Sequence, residues 1–309
     1  MRLDVACSDI VDCEHKTAPI DEVGEYFAVG TPAMRDHRIN YAEARRISRE
    51  TFEAWTRRLS PRAGDLLFAR EAPVGPVVRL PDVANVAPGQ RTVLLRPDPE
   101  VVDSTFLYYA LTAPAAQAGL IVKAEGSTVH HLNVPDIRSF EVWVPPLPEQ
   151  QAIAEVLGAL DDKIAANTAL AATVDSYLAT LLDEMASGVD ATTLRSIADV
   201  NRRSAKPVAG GSLRYVDIAS VAVGSFEYPD VSAWSDAPGR ARRGLSAGDT
   251  MWSTVRPNRR SHALNLEDDA LLVASTGLAI LSPREVGFAY LYEASRRAEF
   301  TAYLENVAE

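Results

Sequence analysis

The longest regular alternation of apolar and polar positions lies in the middle of the chain. From Ile153, seam positions recur at spacings of four and three through Leu157, Leu160, Ile164, Asn167, Ala171, Val174, Leu178, Leu181 and Met185. This is a heptad pattern with Leu157 at an a position and Leu160 at d, and it predicts a helix over residues 149–186. Pro148 falls where a first helical turn tolerates a residue without an N–H. Neither glycine nor proline interrupts the stretch from Ala159 to Ser187, and Gly188 is a natural C-terminal stop. At about 1.5 Å per residue the helix is about 57 Å long. A single apolar seam on so long a helix calls for a partner helix, because the stripe cannot stay in water alone. Asn167 within the seam lowers stability but sets register.

Shorter patterns flank the helix on both sides, and they repeat. Gly64-Asp-Leu-Leu-Phe-Ala-Arg-Glu-Ala-Pro73 is echoed 184 residues later by Gly248-Asp-Thr-Met-Trp-Ser-Thr-Val-Arg-Pro257. Val93–Pro97 is echoed by Ala279–Pro283, Phe106–Tyr109 by Phe288–Leu291, and Lys16–Pro19 by Ser204–Pro207. Matches in one order at a nearly constant offset imply a duplicated unit. In each copy a Gly-Asp turn launches an apolar strand, Leu66–Ala69 and then Met251–Ser253. A second strand, Val93–Arg96, ends at Pro97. Asp103 or Ser104 then caps a helix that carries Phe106, Leu107, Ala110 and Leu111 on one face. Ser48 caps a further helix with Glu50 in its first turn, Arg57 and Arg58 in its last, and Pro61 beyond. Trp55, Trp143, Trp234 and Trp252 are read as core. Strands and helices mix without regular alternation, which points to α+β units.

Composition changes this picture little. The 309 residues are 47% hydrophobic and 24% charged, enough for two domains. No run of about 18 apolar residues occurs, and the acidic first thirty residues are unlike a targeting peptide. Cys7 and Cys13 are too few for a disulfide scaffold or a zinc cluster, so a reducing cytoplasm is expected. The net charge of −11 would argue against a nucleic-acid partner, but its distribution does not. Residues 34–62 hold eight Lys/Arg against four Asp/Glu, and residues 193–262 hold eleven against six.

Three stretches together resemble one family, the specificity (S) subunits of type I restriction–modification systems. They are Gly64-Asp-Leu-Leu-Phe-Ala-Arg70 with Pro73 and Gly75, Glu125-Gly-Ser-Thr-Val-His-His-Leu132, and Trp143-Val-Pro-Pro-Leu-Pro-Glu-Gln-Gln-Ala-Ile-Ala154, which runs directly into the heptad helix. The resemblance implies an α+β fold in which two repeated target-recognition domains are joined by a long coiled-coil spacer helix. Residues 1–148 would be the first recognition domain, 149–187 the spacer, and 188–309 a second domain incomplete at its C-terminal end. It implies a DNA-recognition subunit without catalysis of its own, which reads a bipartite target in double-stranded DNA. Such a subunit docks two methyltransferase (M) subunits and an ATP-driven nuclease-translocase (R) subunit. S-adenosylmethionine, ATP and magnesium would then belong to the partners, with no cofactor or metal on this chain and no membrane association.

The residues agree with a passive role. None of the four lysines follows a glycine, so no Walker A loop exists. There is no Asn-Pro-Pro or Asp-Pro-Pro motif to hold a flipped base, and Asp161-Asp-Lys163 sits on the helix without a third carboxylate. One departure stands out. Phe106 lies 39 residues before Pro145, whereas only 21 residues follow Phe288. A second spacer helix is therefore expected to be missing, and the seam would seek another chain, such as a second copy of itself. A scaffold or inhibitory fragment that holds methyltransferase partners without reading DNA is the alternative.

DNA recognition needs cations for phosphates and side chains for base edges, with arginine on guanine the commonest specific contact. The candidates in the first repeat are Arg35, His37, Arg38, Arg45 and Arg46, then Arg70. Lys123, Ser127, Thr128, His130 and His131 form a polar, glycine-containing loop. Those in the second repeat are Arg240, Arg242 and Arg243, then Arg256, Arg259 and Arg260.

Overall fold

The computed structural model describes residues 1–82, 85–124, 130–188 and 192–307. The chain divides into two compact units, Met1–Asn167 and Thr168–Glu309. The first unit opens with α1 (Leu3–Ala6), β1 (Cys7–Asp12), β2 (Tyr26–Val29), β3 (Met34–Arg35), β4 (Arg38–Ile39), β5 (Arg45–Ile47) and α2 (Arg49–Thr56). It continues with β6 (Leu66–Arg70), β7 (Val74–Arg79), β8 (Val86–Pro88), β9 (Thr92–Pro97), α3 (Ser104–Thr112), α4 (Pro114–Ala124) and α5 (Val134–Arg138), and ends within α6 (Leu147–Ala186).

The main sheet is antiparallel, in the order β1-β9-β6-β7. Successive side chains of a strand point to opposite faces, and β6 uses both. Leu66 and Phe68 pack into a core with Phe106, Leu107, Leu111, Leu120 and Ile137 of α3, α4 and α5, together with Ala154 of α6. Leu67 and Ala69 pack on the other side with Val29, Met34 and Val86. Two covered faces explain why this strand reads as an unbroken apolar run rather than an alternation. The second face is covered by a smaller sheet, β5-β2-β8, in which β2 and β8 are parallel.

Local chemistry sets the helix starts as expected. The Ser48 hydroxyl accepts the Thr51 amide at 3.2 Å, and the Asp103 carboxylate accepts the Phe106 amide at 2.8 Å. The end of α2 differs from expectation. The helix stops at Thr56 with Arg57 as its C-cap, so Arg57 and Arg58 are not in its last turn. Both reach Glu14 instead, at 2.9 and 3.9 Å. Trp143 also departs from the core reading. In the extended segment before Pro145, Phe140 and Val142 are buried while Glu141 and Trp143 alternate outward, leaving Trp143 66% exposed. Trp252 is buried, and Trp55 and Trp234 are partly buried.

The second unit comprises α7 (Leu194–Ile197), β10 (Ala198–Val200), β11 (Ser212–Val216), β12 (Val231–Ala233), β13 (Ala241–Gly244), β14 (Thr250–Ser253) and β15 (His262–Leu264). It closes with β16 (Leu272–Ser275), β17 (Leu278–Pro283), α8 (Phe288–Ser295) and α9 (Ala298–Val307). Its main sheet, β10-β17-β14-β15, repeats the order and the antiparallel pairing of β1-β9-β6-β7. Leu66 opposite Leu95 in the first repeat corresponds to Thr250 opposite Leu281 in the second. The smaller sheet again holds one parallel pair, β11 with β16, and gains β13 on its edge. The duplication inferred from weak sequence echoes is therefore a duplication of topology.

The long helix begins at Leu147, two residues before the expected start, with Pro148 in its first turn. Ile153 and Leu157 are half-buried on the first unit. Leu160, Ile164, Val174 and Met185 are 52%, 56%, 45% and 58% exposed, and Asn167 and Ala171 are exposed with them. Leu178 is half-buried and Leu181 lies at the edge of exposure, whereas Leu182, off the seam, is buried. No single helix among the described residues is long and apolar enough to cross a bilayer.

Candidate nucleic-acid interface

In the second repeat Arg240 and Thr254, the residue that opens the β14–β15 loop, both bond to one short connection. The connection between β16 and β17 is Thr276-Gly277. The Thr276 amide donates to the Arg240 carbonyl at 2.9 Å, and the Thr254 amide donates to the Gly277 carbonyl at 3.0 Å. Arg240 lies just before β13, and Thr254 opens the loop between β14 and β15 that carries Arg256–Arg260. Arg240 is exposed, 3.6 Å from Asp217. Arg242 and Arg243 lie on β13 itself and are half-buried, with Arg242 donating to the neighbouring Ala241 carbonyl at 3.0 Å.

The Arg256–Arg260 loop is held tightly in a strained form. Arg256 and Arg260 both have φ of 54°, in the left-handed region, on either side of a 3-10 turn at Pro257–Arg259. Each such non-glycine residue costs about 1–3 kcal/mol and persists only where its surroundings hold it. Ser253 holds one end. Its hydroxyl donates to the Val255 carbonyl at 2.8 Å, and its amide donates to the Ser261 carbonyl at 2.9 Å. Arg260 donates through Nη2 to the Arg296 carbonyl at 2.6 Å. The Arg260 carbonyl lies 2.6 Å from His262 Nδ1. A carbonyl only accepts, so Nδ1 carries the proton and donates. The imidazole is buried and stacked on Trp252 at 4.9 Å, and burial pushes its pKa down, so it is held neutral. The result is a braced loop with Arg256 and Arg259 exposed, and among the described residues neither has a carboxylate partner.

The first repeat builds the equivalent place with other side chains. The β8–β9 connection is Gly89-Gln90-Arg91, and the Arg91 carbonyl accepts the Arg70 amide at 2.9 Å. Gln90 and Arg91 are exposed, with Arg91 3.5 Å from Glu71. A cleft of about 190 Å³ opens here, lined by Arg45, Glu43, Gln90, Arg91 and Thr31. Thr31 is buried at 3% exposure, and its hydroxyl has no hydrogen-bond partner.

The candidates named from sequence divide accordingly. Arg35 and Arg38 flank a two-residue hairpin turn, Asp36-His37, whose positive φ values of 47° and 58° suit a tight β-turn. Both arginines are exposed, Arg38 lying 3.9 Å from Asp161. His37 braces this hairpin: its Nδ1 accepts the Val77 amide at 3.2 Å, and its carbonyl accepts the Tyr108 hydroxyl at 3.1 Å. Arg45 lines the cleft, whereas Arg46 donates to the Glu22 carbonyl at 3.1 Å and lies over the Phe27 ring. Arg70 turns inward. Its side chain is 13% exposed, sits 3.4 Å from Asp12 and donates to the Leu132 carbonyl at 3.2 Å, so it ties strands together. Lys123 is exposed in the last turn of α4, His130 is exposed, and His131 pairs with Glu71 in a β-bridge. Ser127 and Thr128 lie outside the described residues.

Gln90, Arg91 and Arg79 were not singled out from sequence. Arg79 shares a shallow pocket with Arg38 and Tyr41. Arg91 could have been found by extending the repeat alignment past Val93, since it precedes β9 as Gly277 precedes β17. The two thiols offer no chemistry here. Cys7 and Cys13 are buried, and burial pushes the Cys7 pKa to about 12, far from a thiolate. Among the described residues no cluster of His, Cys, Asp or Glu is arranged to hold a metal.

Comparison with known proteins bears on what this arrangement belongs to. A segment of 105 residues, 32% of the chain, is 31% identical to a putative type I restriction enzyme specificity subunit of Methanocaldococcus jannaschii. The match spans 23% of that relative's length. The crystal structure of a type I restriction-modification system S subunit from M. genitalium superposes with a TM-score of 0.65 at 18% identity, covering 99% of this chain and 79% of that one. At that identity the likeness is one of fold: an α+β architecture with two repeated units and a long helix. Over residues 8–175, more than half of its length, the sequence matches the type I restriction modification DNA specificity domain, and the chain belongs to that family.

Proposed function

We propose that the chain reads a bipartite target in double-stranded DNA as the specificity subunit of a type I restriction–modification complex, with one half-site per repeat. Residues 1–148 and 188–309 are the two readers, and residues 149–187 are the spacer that sets the distance between half-sites. The observation that carries this reading is the braced Arg256–Arg260 loop, which holds Arg256 and Arg259 exposed. Loose surface arginines would scatter. Arg256 and Arg259 are exposed on a braced loop and, among the described residues, free of carboxylates, as phosphate contacts require. The exposed seam of α6 (Leu160, Ile164, Val174, Met185) suits docking of a helix from a methyltransferase subunit. A nuclease-translocase subunit would join that assembly in the cytoplasm. S-adenosylmethionine, ATP and magnesium then act on the partners, and this chain supplies no catalytic group.

The test is DNA binding as a function of salt. Arg256→Ala combined with Arg259→Ala is expected to weaken binding and to reduce the slope of log K against log salt by about two. An unchanged slope removes this loop from the interface.

A further inference from the structure

We propose that each repeat reads base identity at the connection that follows its parallel strand: Gln90-Arg91 in the first repeat, and Thr276 with Arg240 in the second. This rests on the DNA-recognition reading above and names the side chains that set sequence preference within it.

The two places are the same by register. In the first repeat Val29 lies opposite Pro88 in the parallel pair, and in the second Val216 lies opposite Ala274. Each of these first strands runs into a 3-10 turn, Thr31–Ala33 or Ile218–Ser220. Each second strand runs into a short connection before the main sheet resumes at Thr92 or Leu278. The same bond anchors each connection to the main sheet, from the Arg70 amide to the Arg91 carbonyl and from the Thr254 amide to the Gly277 carbonyl.

The scaffold is rigid where it must be. Gly89 is packed so closely that a Cβ there would strike the Gly30 amide and the Val29 carbonyl carbon. The two loops therefore abut backbone to backbone. Arg91 stands at φ of 66°, a left-handed conformation that an arginine adopts only at a cost, at the position equivalent to Gly277. Its side chain is half-exposed.

On this common frame the side chains differ, as reading two different half-sites demands. Gln90 carries no charge and so cannot serve to neutralise a phosphate. Its amide matches the paired donor and acceptor of adenine, and Arg91 matches the two acceptors of guanine. The second repeat offers an arginine from the turn before β13, Arg240, and a threonine, which can meet either a polar base edge or the thymine methyl group. Both Thr276 and Arg240 are exposed, and they are joined through the bond from the Thr276 amide to the Arg240 carbonyl.

The experiment selects duplexes from a randomised library with the full chain and with Gln90→Ala, Arg91→Ala and Thr276→Ala, after thermal melts confirm that each variant folds as the parent does. The parent is expected to enrich a two-part motif. Gln90→Ala and Arg91→Ala should each relax discrimination by about tenfold at one base pair of one part, leaving the other part intact. Thr276→Ala should relax only the other part. A motif unchanged in all three variants overturns the assignment, and so does an even loss of affinity across all sequences, the mark of phosphate contacts. If the parent enriches no sequence, the DNA-recognition reading falls and this inference falls with it.

Discussion

The Gly-Asp turns of the two repeats share a backbone but differ in what neutralises the buried acid. In the first repeat Asp65 accepts the Arg62 amide at 3.0 Å and also pairs with Arg96 at 2.7 Å, the two side chains being 2% and 11% exposed. In the second, Asp249 accepts the Ser246 amide at 2.8 Å and is buried, but Ser282 stands in the place of Arg96. Among the described residues no cation pairs with Asp249. What the turn requires is an acceptor for the amide three residues back, which both repeats keep. The guanidinium is an addition of the first repeat, and once present it cannot be removed cheaply, because it leaves a buried charge without its partner.

The comparison can be broken first at that pair. Arg96→Ala is expected to destabilise the first repeat by about 3–5 kcal/mol. Ser282→Ala should cost the second less than about 1 kcal/mol. Hydrogen exchange of the β6 and β14 amides reads the two separately. Comparable losses in both would mean that the ion pair is not what distinguishes the repeats.

A second contrast lies one strand over. His262 faces Trp252 where Val77 faces Phe68. Burial holds the pKa of His262 below its ordinary 6.5, with the Arg296 and Arg260 cations pushing the same way against the hydrogen bond to the Arg260 carbonyl. A base whose pKa is lowered on folding stabilises the fold fully above about pH 6.5, and the contribution is lost as pH falls through its folded value. Acidification below pH 6.5 should therefore loosen the second repeat, and His262→Val should flatten that dependence when unfolding is followed across pH. A dependence as steep in the variant would assign the effect elsewhere.

The smallest contrast is a helix cap. Asp103 caps α3 with its carboxylate, whereas α8 starts at Gly287 with no side-chain cap. Asp103→Ala should cost about 1 kcal/mol, while Gly287→Asp should add a few tenths at most. Space permits the change, since a Cβ at Gly287 meets nothing within 4 Å. Thermal melts of both variants decide it.

Much of the fold was legible because its signals are local. The heptad spacing marked α6 to within two residues, Ser48 and Asp103 marked helix starts, and the repeated Gly-Asp turn marked the duplication. Less of the interface was legible. Arg70 looked like Arg256, both lying just after the Gly-Asp strand, yet Asp12 draws Arg70 inward while a strained loop turns Arg256 out. His37 sits among arginines in sequence but serves a backbone amide. Gln90 and Arg91 carried no periodic or charge signal, and their importance depends on which strand they follow.

The sequence alone determined the α+β class, the long helix and the positions of the caps, because these depend on spacings of three to ten residues and on single side chains serving nearby amides, and it determined the repeat, because short motifs recur in one order at a nearly constant offset. Only the tertiary structure decided which arginines face outward and which are consumed. It also decided that Arg240 and Thr254 both bond to Thr276-Gly277. That outcome depends on strand order and on one parallel pairing in each repeat, and so on contacts between residues tens of positions apart that no local pattern records.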